Sequence, residues 1–492
     1  MSPTGEEVVC VYCFYNHNQP NAPAKQQMKS FAPLRALALI ALCIVGVGTG
    51  CTTYREQSES MTQKWDVGNI PGAAEEFEHK AEKAKATKDA IIWRLEHAAA
   101  LRAAQQFKES NDAFEKAEVD IVRYDESAKV KVGHEAGAIM SNQANLPYEG
   151  RTYDKIMLST YKALNDLQLG DLEKARVDLN RVYKWQQEAV ALNAARLEKA
   201  QAENTEQDKV EKAQQDEKYK TQMDGAYKGL DQIKVYGDYV NPFSVYLDAL
   251  YFMNTSTGAS DLERANKSLE RVAAFVAENK FVKQDQETLK GLLVGKPTEP
   301  LTYVIFETGG APIREQIRID IPIIVANVSY VGAAFPTLKF ENDYVPSLTV
   351  SANGTNEFTQ VVASMDSVIA HDFKNELPII ITKTMVSTIT KAVAAYAMNE
   401  AADRQDSVLG LFSRIATAAT QAAMNIADLR TWTTLPKEYQ ICRVPTPADR
   451  RLELAAGAQR IPVTVGDGLV NVVFVKSINS RSPLLISQAK LR

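Results

Sequence analysis

The sequence predicts an α+β fold, with an all-helical N-terminal domain followed by a C-terminal α+β domain, on three observations. From Thr62 to about Lys290 the chain is rich in Ala, Glu, Lys, Gln and Leu at helical spacing, while Pro and Gly are scarce. From Pro297 onward Pro, Val, Ile and Thr rise, and alternating runs such as Gln316-Ile317-Arg318-Ile319 and Val470 to Val475 read as strands. Within the helical part, an aromatic or aliphatic residue is followed three positions on by Ala or Ser and four later by Phe or Leu. This pattern recurs as Ile70-Ala73-Phe77, Phe107-Ser110-Phe114, Leu172-Ala175-Leu179 and Leu262-Ala265-Leu269.

Taken in order, residues 1–50 read as an upstream leader and signal peptide. The apolar run Ala36 to Val47 is short of the ~20 residues that cross a bilayer and has the length of a signal-peptide core. Met28, followed by Lys29 and Arg35, supplies a short basic start, so Met28 is the expected first residue. The run ends in Gly48-Thr49-Gly50-Cys51, which resembles a bacterial lipobox. The resemblance implies cleavage between Gly50 and Cys51, a diacylglycerol on the Cys51 sulfur and an acylated amine. Three acyl chains hold far more firmly than one. Thr52 rather than Asp after Cys51 points to the periplasmic face of the outer membrane, under the sorting pattern of many Gram-negative lipoproteins. No other segment reads as long and apolar enough to span.

Residues 51–61 are expected to be a tether and 62–295 a helical-repeat domain. The small residue of each motif lets two helices approach closely while its larger neighbours fill the seam. The spacing of the first two motifs is close to the ~34-residue tetratricopeptide period, and the array resembles degenerate tetratricopeptide repeats. A generic helical bundle satisfies the same spacing. The charged stretch from about 186 to 220 has only small apolar groups, such as Ala191, Ala195 and Ala202, among Glu, Lys and Gln. It reads as a solvated helical projection or coiled-coil arm.

Lys296-Pro297-Thr298-Glu299-Pro300 marks the expected boundary of the α+β domain, 296–492. Inside it, Pro378 to Ala427 reads as an apolar helical pair broken near Asn399 to Asp406. Ile381, Met385, Ile389, Val393 and Tyr396 fall on a core-facing stripe, and Lys383, Lys391, Glu400, Asp403 and Arg404 argue against membrane insertion. Strands resume at Tyr439.

Asn241-Pro242-Phe243-Ser244-Val245-Tyr246 and Ala427-Asp428-Leu429-Arg430-Thr431-Trp432-Thr433-Thr434-Leu435-Pro436 resemble segments of a family of bacterial lipoproteins. Its members join helical repeats to a β-containing C-terminal region, have no assigned molecular activity, and are sometimes encoded near a lipoprotein activator of penicillin-binding proteins. The family favours Asp-Thr-Arg before the Trp, where this chain has Asp428-Leu429-Arg430. Physically, Asp428 and Arg430 read as a pair or helix cap and Trp432 as an anchor for the following loop, together a structural clamp.

Motifs for turnover lack their context. Ser159-Thr160-Tyr161-Lys162 and Ser487-Gln488-Ala489-Lys490 match S-x-x-K, and Ser477-Ile478-Asn479 mimics a companion element, yet K-T-G is missing. His79, His97, His134 and His371 show no metal-binding spacing. Cys10 and Cys13 leave with the leader, as does Cys43, so the lone mature thiol, Cys442, reads as buried and inert. Thr308-Gly309-Gly310-Ala311-Pro312 reads as a turn. The expected cofactor and metal content is none, and a net charge of -5 argues against nucleic acid. The sequence therefore predicts a membrane-anchored scaffold that binds envelope proteins through helical repeats. The alternatives are a regulator of peptidoglycan synthesis, or an enzyme with a C-terminal site around Gly309-Gly310 or Asp428-Arg430.

Overall fold

The computed structural model describes residues 53–130, 143–202, 204, 206–234, 236, 240–325, 328–403 and 426–492. The leader, Gly50 and Cys51 lie outside the described residues, as do His134 and the second half of the helical pair expected to reach Ala427. Thr52–Arg492 forms one compact unit, an α+β body with its helices first and its strands after.

Thr53 starts α1 (Tyr54–Asp66) through a capping box. Its hydroxyl accepts from the Glu56 N–H, and the Glu56 carboxylate accepts from the Thr53 N–H at 2.7 Å. Tyr54 and Met61 are buried, with the Tyr54 ring 4.7 Å from that of Trp93. Residues 54–61 are therefore the first helix of the body and not the expected tether.

The helices follow as neighbouring pairs: α1 with α2 (Ile70–Ala84), α3 (Ala90–Ala103) with α4 (Phe107–Val130), and α5 (Thr152–Leu169) with α6 (Leu172–Ala202). After α7 (Gln207–Gln214) and α8 (Glu217–Tyr227), α9 (Pro242–Asn254) packs on α10 (Ala259–Phe275), which meets α11 (Lys280–Leu293). Each recurring motif sits on the second helix of a pair. Ala73, Ser110, Ala175 and Ala265 are all fully buried at 0% exposure. Ile70, Phe77, Phe114, Leu179 and Leu269 are buried beside them, whereas Phe107, Leu172 and Leu262 are half-buried. Ser110 shows why a small residue is needed, because its hydroxyl donates across the seam to the Ala98 carbonyl of α3 at 2.7 Å.

The strands form three sheets. β1 (Leu301–Thr308) is followed by a ribbon of β2 (Ile313–Val325) and β3 (Val328–Lys339), then by β4 (Thr349–Ala352), β5 (Thr355–Phe358) and β6 (Gln360–Ser364). A long helix, α12 (Met365–Asp403), precedes β7 (Glu438–Pro445), β8 (Arg451–Ala456), β9 (Gln459–Thr464), β10 (Val470–Ser477) and β11 (Leu485–Lys490). The main sheet runs β11-β10-β1-β7-β6, with β1 parallel to β10 and antiparallel to β7, and a second sheet runs β5-β4-β8-β9. β1 and β10 are buried along their whole length, the pattern of central strands covered on both faces.

One hydrophobic core runs from Tyr54 to Leu491 through both the helices and the main sheet. The Phe243 ring of α9 stacks on Tyr439 of β7 at 4.0 Å and 8°. Lys296 to Pro300 thus marks a change of secondary structure inside one body and not a boundary between separately packed domains, because the helical layer and the sheet bury each other's apolar faces.

Two expectations are corrected in a second, smaller core. The charged stretch 186–220 is not a solvated projection: Ala189 and Ala200 of α6 are buried, and Val210, Ala213 and Tyr219 pack with the β2–β3 ribbon and α12. Its small alanines bring the helices close to their neighbours, and Arg196 and Lys218 pair with Glu149 and Asp320 at 2.6 and 2.8 Å. The helix expected to start at Pro378 begins at Met365 and runs through that proline to Asp403. From Met365 to Ala397 it is long and apolar enough, at mean hydropathy 1.3, to cross a membrane by length and composition. Of the expected stripe, Met385 and Ile389 are buried and Ile381 and Val393 pack at the rim, with Tyr396 half-buried.

Candidate functional site

The segment Asp428 to Trp432 is assembled where the loop before β7 crosses the starts of α3 and α5. Arg430 is 4% exposed and uses its whole guanidinium. It donates to Asp428 through Nε at 2.7 Å and Nη2 at 2.9 Å, to Asp89 at 2.9 Å, and to the Leu146 and Gln143 carbonyls at 2.8 and 3.3 Å. Burial pushes the Asp428 carboxyl up, but Arg430 and then Arg151 hold it well below the usual carboxylate range. Trp432 is fully buried, donates to the Thr434 hydroxyl at 2.9 Å, and lies edge-on to Tyr161 at 5.7 Å with Phe114 at 5.8 Å. The three residues expected to form a clamp therefore meet partners on the helical layer, where every donor of Arg430 is spent on structure.

Sequence reasoning missed the partners that complete this knot. Arg151 donates to the Arg430 carbonyl at 2.5 Å and to the Tyr148 hydroxyl at 2.8 Å, and it lies 3.8 Å from Asp428. Its backbone N–H is accepted by Asp154 at 2.8 Å, so Arg151-x-x-Asp154 has capping-box spacing, the one signal that was readable. Arg314 of β2 pairs with Glu376 of α12. Beside them Asp372 is pushed up to about 7 by burial and then by the Glu376 charge, against the pull of Arg151 and Arg314. A small cavity opens here between Tyr153, Tyr236, Ser367, His371 and Asp372, with room for roughly one water.

Asp372 gives a testable pH dependence. A carboxyl whose folded pKa is about 7 against an ordinary 3.8 holds its proton more tightly folded than unfolded between those values. Its contribution therefore falls as pH rises through that window and stays low above it. Asp372→Asn is expected to stabilise the chain by about 1–3 kcal/mol at pH 8, to change little at pH 4, and to flatten the slope between, read by urea unfolding across pH.

Two further polar knots tie helices to sheet. Glu307 of β1 accepts from Arg102 of α3 at 2.6 Å and from Lys476 of β10 at 3.1 Å. Asp285 of α11 accepts from Tyr246, Tyr303 and Arg443 at 2.8, 2.8 and 2.7 Å. Neither opens onto a described cavity.

The catalytic motifs disperse in space. Ser159 is wholly buried inside α5, and Lys162 is held by Glu115, Glu118 and Asp178. Ser487 accepts from Gln168 at 2.9 Å, and the Ser477 hydroxyl donates to the Asn479 carbonyl at 2.9 Å. Gly309 sits at φ +70° and a side chain there would strike Tyr344 and Lys437; its N–H donates to Ser477, so the glycine serves close packing and not an anion. Burial pushes the Cys442 thiol up to about 12, the environment of an unreactive cysteine. Among the described residues no group of three or more His, Cys, Asp or Glu side chains is placed to hold a metal ion. No known protein family, curated protein or solved structure matches this chain.

Proposed function

We propose that the chain is an envelope lipoprotein that works as an interaction scaffold, held at a membrane surface by acyl chains on Cys51 and gripping a protein partner on its helical face. The lipobox-like Gly48 to Cys51 supports the anchor, and an anchored binder meets envelope partners at raised effective concentration. The observation that carries the binding face is on α6, where Val177, Tyr183 and Val190 are 56%, 54% and 50% exposed. Tyr183 and Val190, seven residues and about two turns apart, share one side of the helix, and Tyr is a residue enriched at binding interfaces relative to the rest of the surface.

The test uses the full chain in a bacterial host, wild type beside Cys51→Ala. The wild type is expected to carry acyl label and fractionate with membranes, and Cys51→Ala to lose both. A photo-crosslinking amino acid at Tyr183 is expected to give discrete adducts with envelope proteins that the same group at Glu453, exposed on β8 of the second sheet, does not. A folded, acylated protein with identical adducts at both positions would remove the binding face and leave the anchor.

A further inference from the structure

The cysteine read as the lipid anchor and the first residue of the body are two positions apart in the chain. Thr53 caps α1: its hydroxyl accepts from the Glu56 N–H at 3.3 Å and its own N–H donates to the Glu56 carboxylate at 2.7 Å. The next residue, Tyr54, is buried and donates to Glu96 of α3 at 2.8 Å. The body therefore begins at Thr53 and leaves no slack behind it. From Cys51 to Thr53 an extended chain spans at most ~7 Å. The headgroup layer on each side of a bilayer is about 5–8 Å thick. A Cys51 acylated at the edge of the hydrocarbon thus spends its whole reach crossing the headgroups, and α1 starts at their outer surface.

An exposed run of charges surrounds this exit. Arg55, 54% exposed, pairs with Glu315 at the base of the β2–β3 ribbon at 2.6 Å. Lys339 of β3 lies 3.9 Å from Glu315 and 3.3 Å from Glu341. A basic patch gains about 1 kcal/mol per Lys or Arg near anionic lipid, but here both cations already have carboxylate partners. Electrostatic attraction is too small to select this face. The tether selects it, because a reach of ~7 Å holds the patch at the lipid surface whatever its charge.

We propose that the first turn of α1 and the base of the ribbon, with Arg55, Glu315 and Lys339, form the membrane-contacting face of the protein, laid against the headgroups of the lipid that holds the anchor. The inference rests on the acyl-anchor reading and adds to it an orientation. Pairs of helices follow one another from the α1 pair to the α10 pair. With touching helices 8–10 Å apart, those three steps come to about 30 Å, which carries α10 beyond headgroup contact.

The test uses the full acylated chain, purified from a bacterial host and placed in vesicles of phosphatidylethanolamine and phosphatidylglycerol that carry a headgroup nitroxide lipid. A fluorescent amino acid is placed at Arg55, at Lys339 or at Glu263 of α10, all exposed positions. Strong quenching is expected at 55 and 339 and little at 263. A Gly-Ser insert of twenty residues between Thr52 and Thr53, with an r.m.s. span of about 25 Å, is expected to abolish the quenching while acylation and vesicle binding persist. Acylated, vesicle-bound protein with no quenching at 55 and 339, or with as much at 263, would overturn the face and leave the anchor. Protein that carries no acyl label would overturn the anchor and the face together. Quenching that survives the insert would support the face and remove the short tether as its cause.

Discussion

Arg430→Ala is expected to destabilise the chain by about 3–5 kcal/mol, the range for removing one partner of a buried, hydrogen-bonded ion pair. The guanidinium is 5% exposed and stands between Asp428 and Asp89, which are 16% and 17% exposed. Truncation leaves two carboxylates facing each other and strips a donor from the Leu146 and Gln143 carbonyls. Burial pushes the Asp428 carboxyl up and Arg430 is the charge that brings it down, so in the variant Asp428 takes up a proton at much higher pH. The loss should accordingly be larger at pH 8 than at pH 5. Arg430→Lys keeps the charge but not the fork of five donors, and an intermediate loss is expected. Urea unfolding of the three proteins at both pH values reads the result. An Arg430→Ala loss below about 1 kcal/mol, the ordinary worth of an exposed pair, would show that the knot is solvated in solution.

Much of the helical layer was legible because period and capping act locally. The small residues at 73, 110, 175 and 265 announce close seams without knowledge of the partner helix, and all four are fully buried. Residues 54–61 read as tether because the ring that packs on Tyr54, Trp93, comes from α3. The stretch 186–220 was misread for a related reason: its alanines and scattered Val210 and Tyr219 become core only against a ribbon more than 90 residues later in the chain, a contact that no window of sequence contains. The segment holding Asp428, Arg430 and Trp432 stood out by its resemblance to segments of a lipoprotein family, whereas nothing in the sequence marked Asp89 or Glu96. Glu96 is a carboxylate in mid-helix that accepts from Tyr54 and from the Thr433 and Thr434 hydroxyls at 2.8, 2.7 and 2.7 Å. Its sequence neighbourhood carries no trace of that role.

Glu307→Gln is expected to cost about 3–5 kcal/mol as well, by a different route. Glu307 is 2% exposed on the central strand β1, between Arg102 of the helical layer and Lys476 of β10, each 8% exposed as a residue. The glutamine is nearly isosteric, so packing survives while two buried cations lose their shared counter-charge. Burial raises the Glu307 carboxyl, but Arg102 and then Lys476 outweigh it and leave the group below its ordinary value of 4.5. A depressed carboxylate stabilises the folded chain at pH above the unfolded value, and that stabilisation is lost as pH falls through the lower folded value. The difference between wild type and Glu307→Gln should therefore be full at pH 7 and shrink below about pH 4, where the wild-type side chain gains a proton too. Adding Arg102→Met to Glu307→Gln removes one of the stranded cations and is expected to recover part of the loss, as buried ion groups replaced by apolar ones of similar volume do. Such recovery separates a charge-balance role from simple packing. If the double variant is as unstable as the sum of the single ones, the helices and the main sheet are joined by shape, and the Glu307 carboxylate is incidental to that junction.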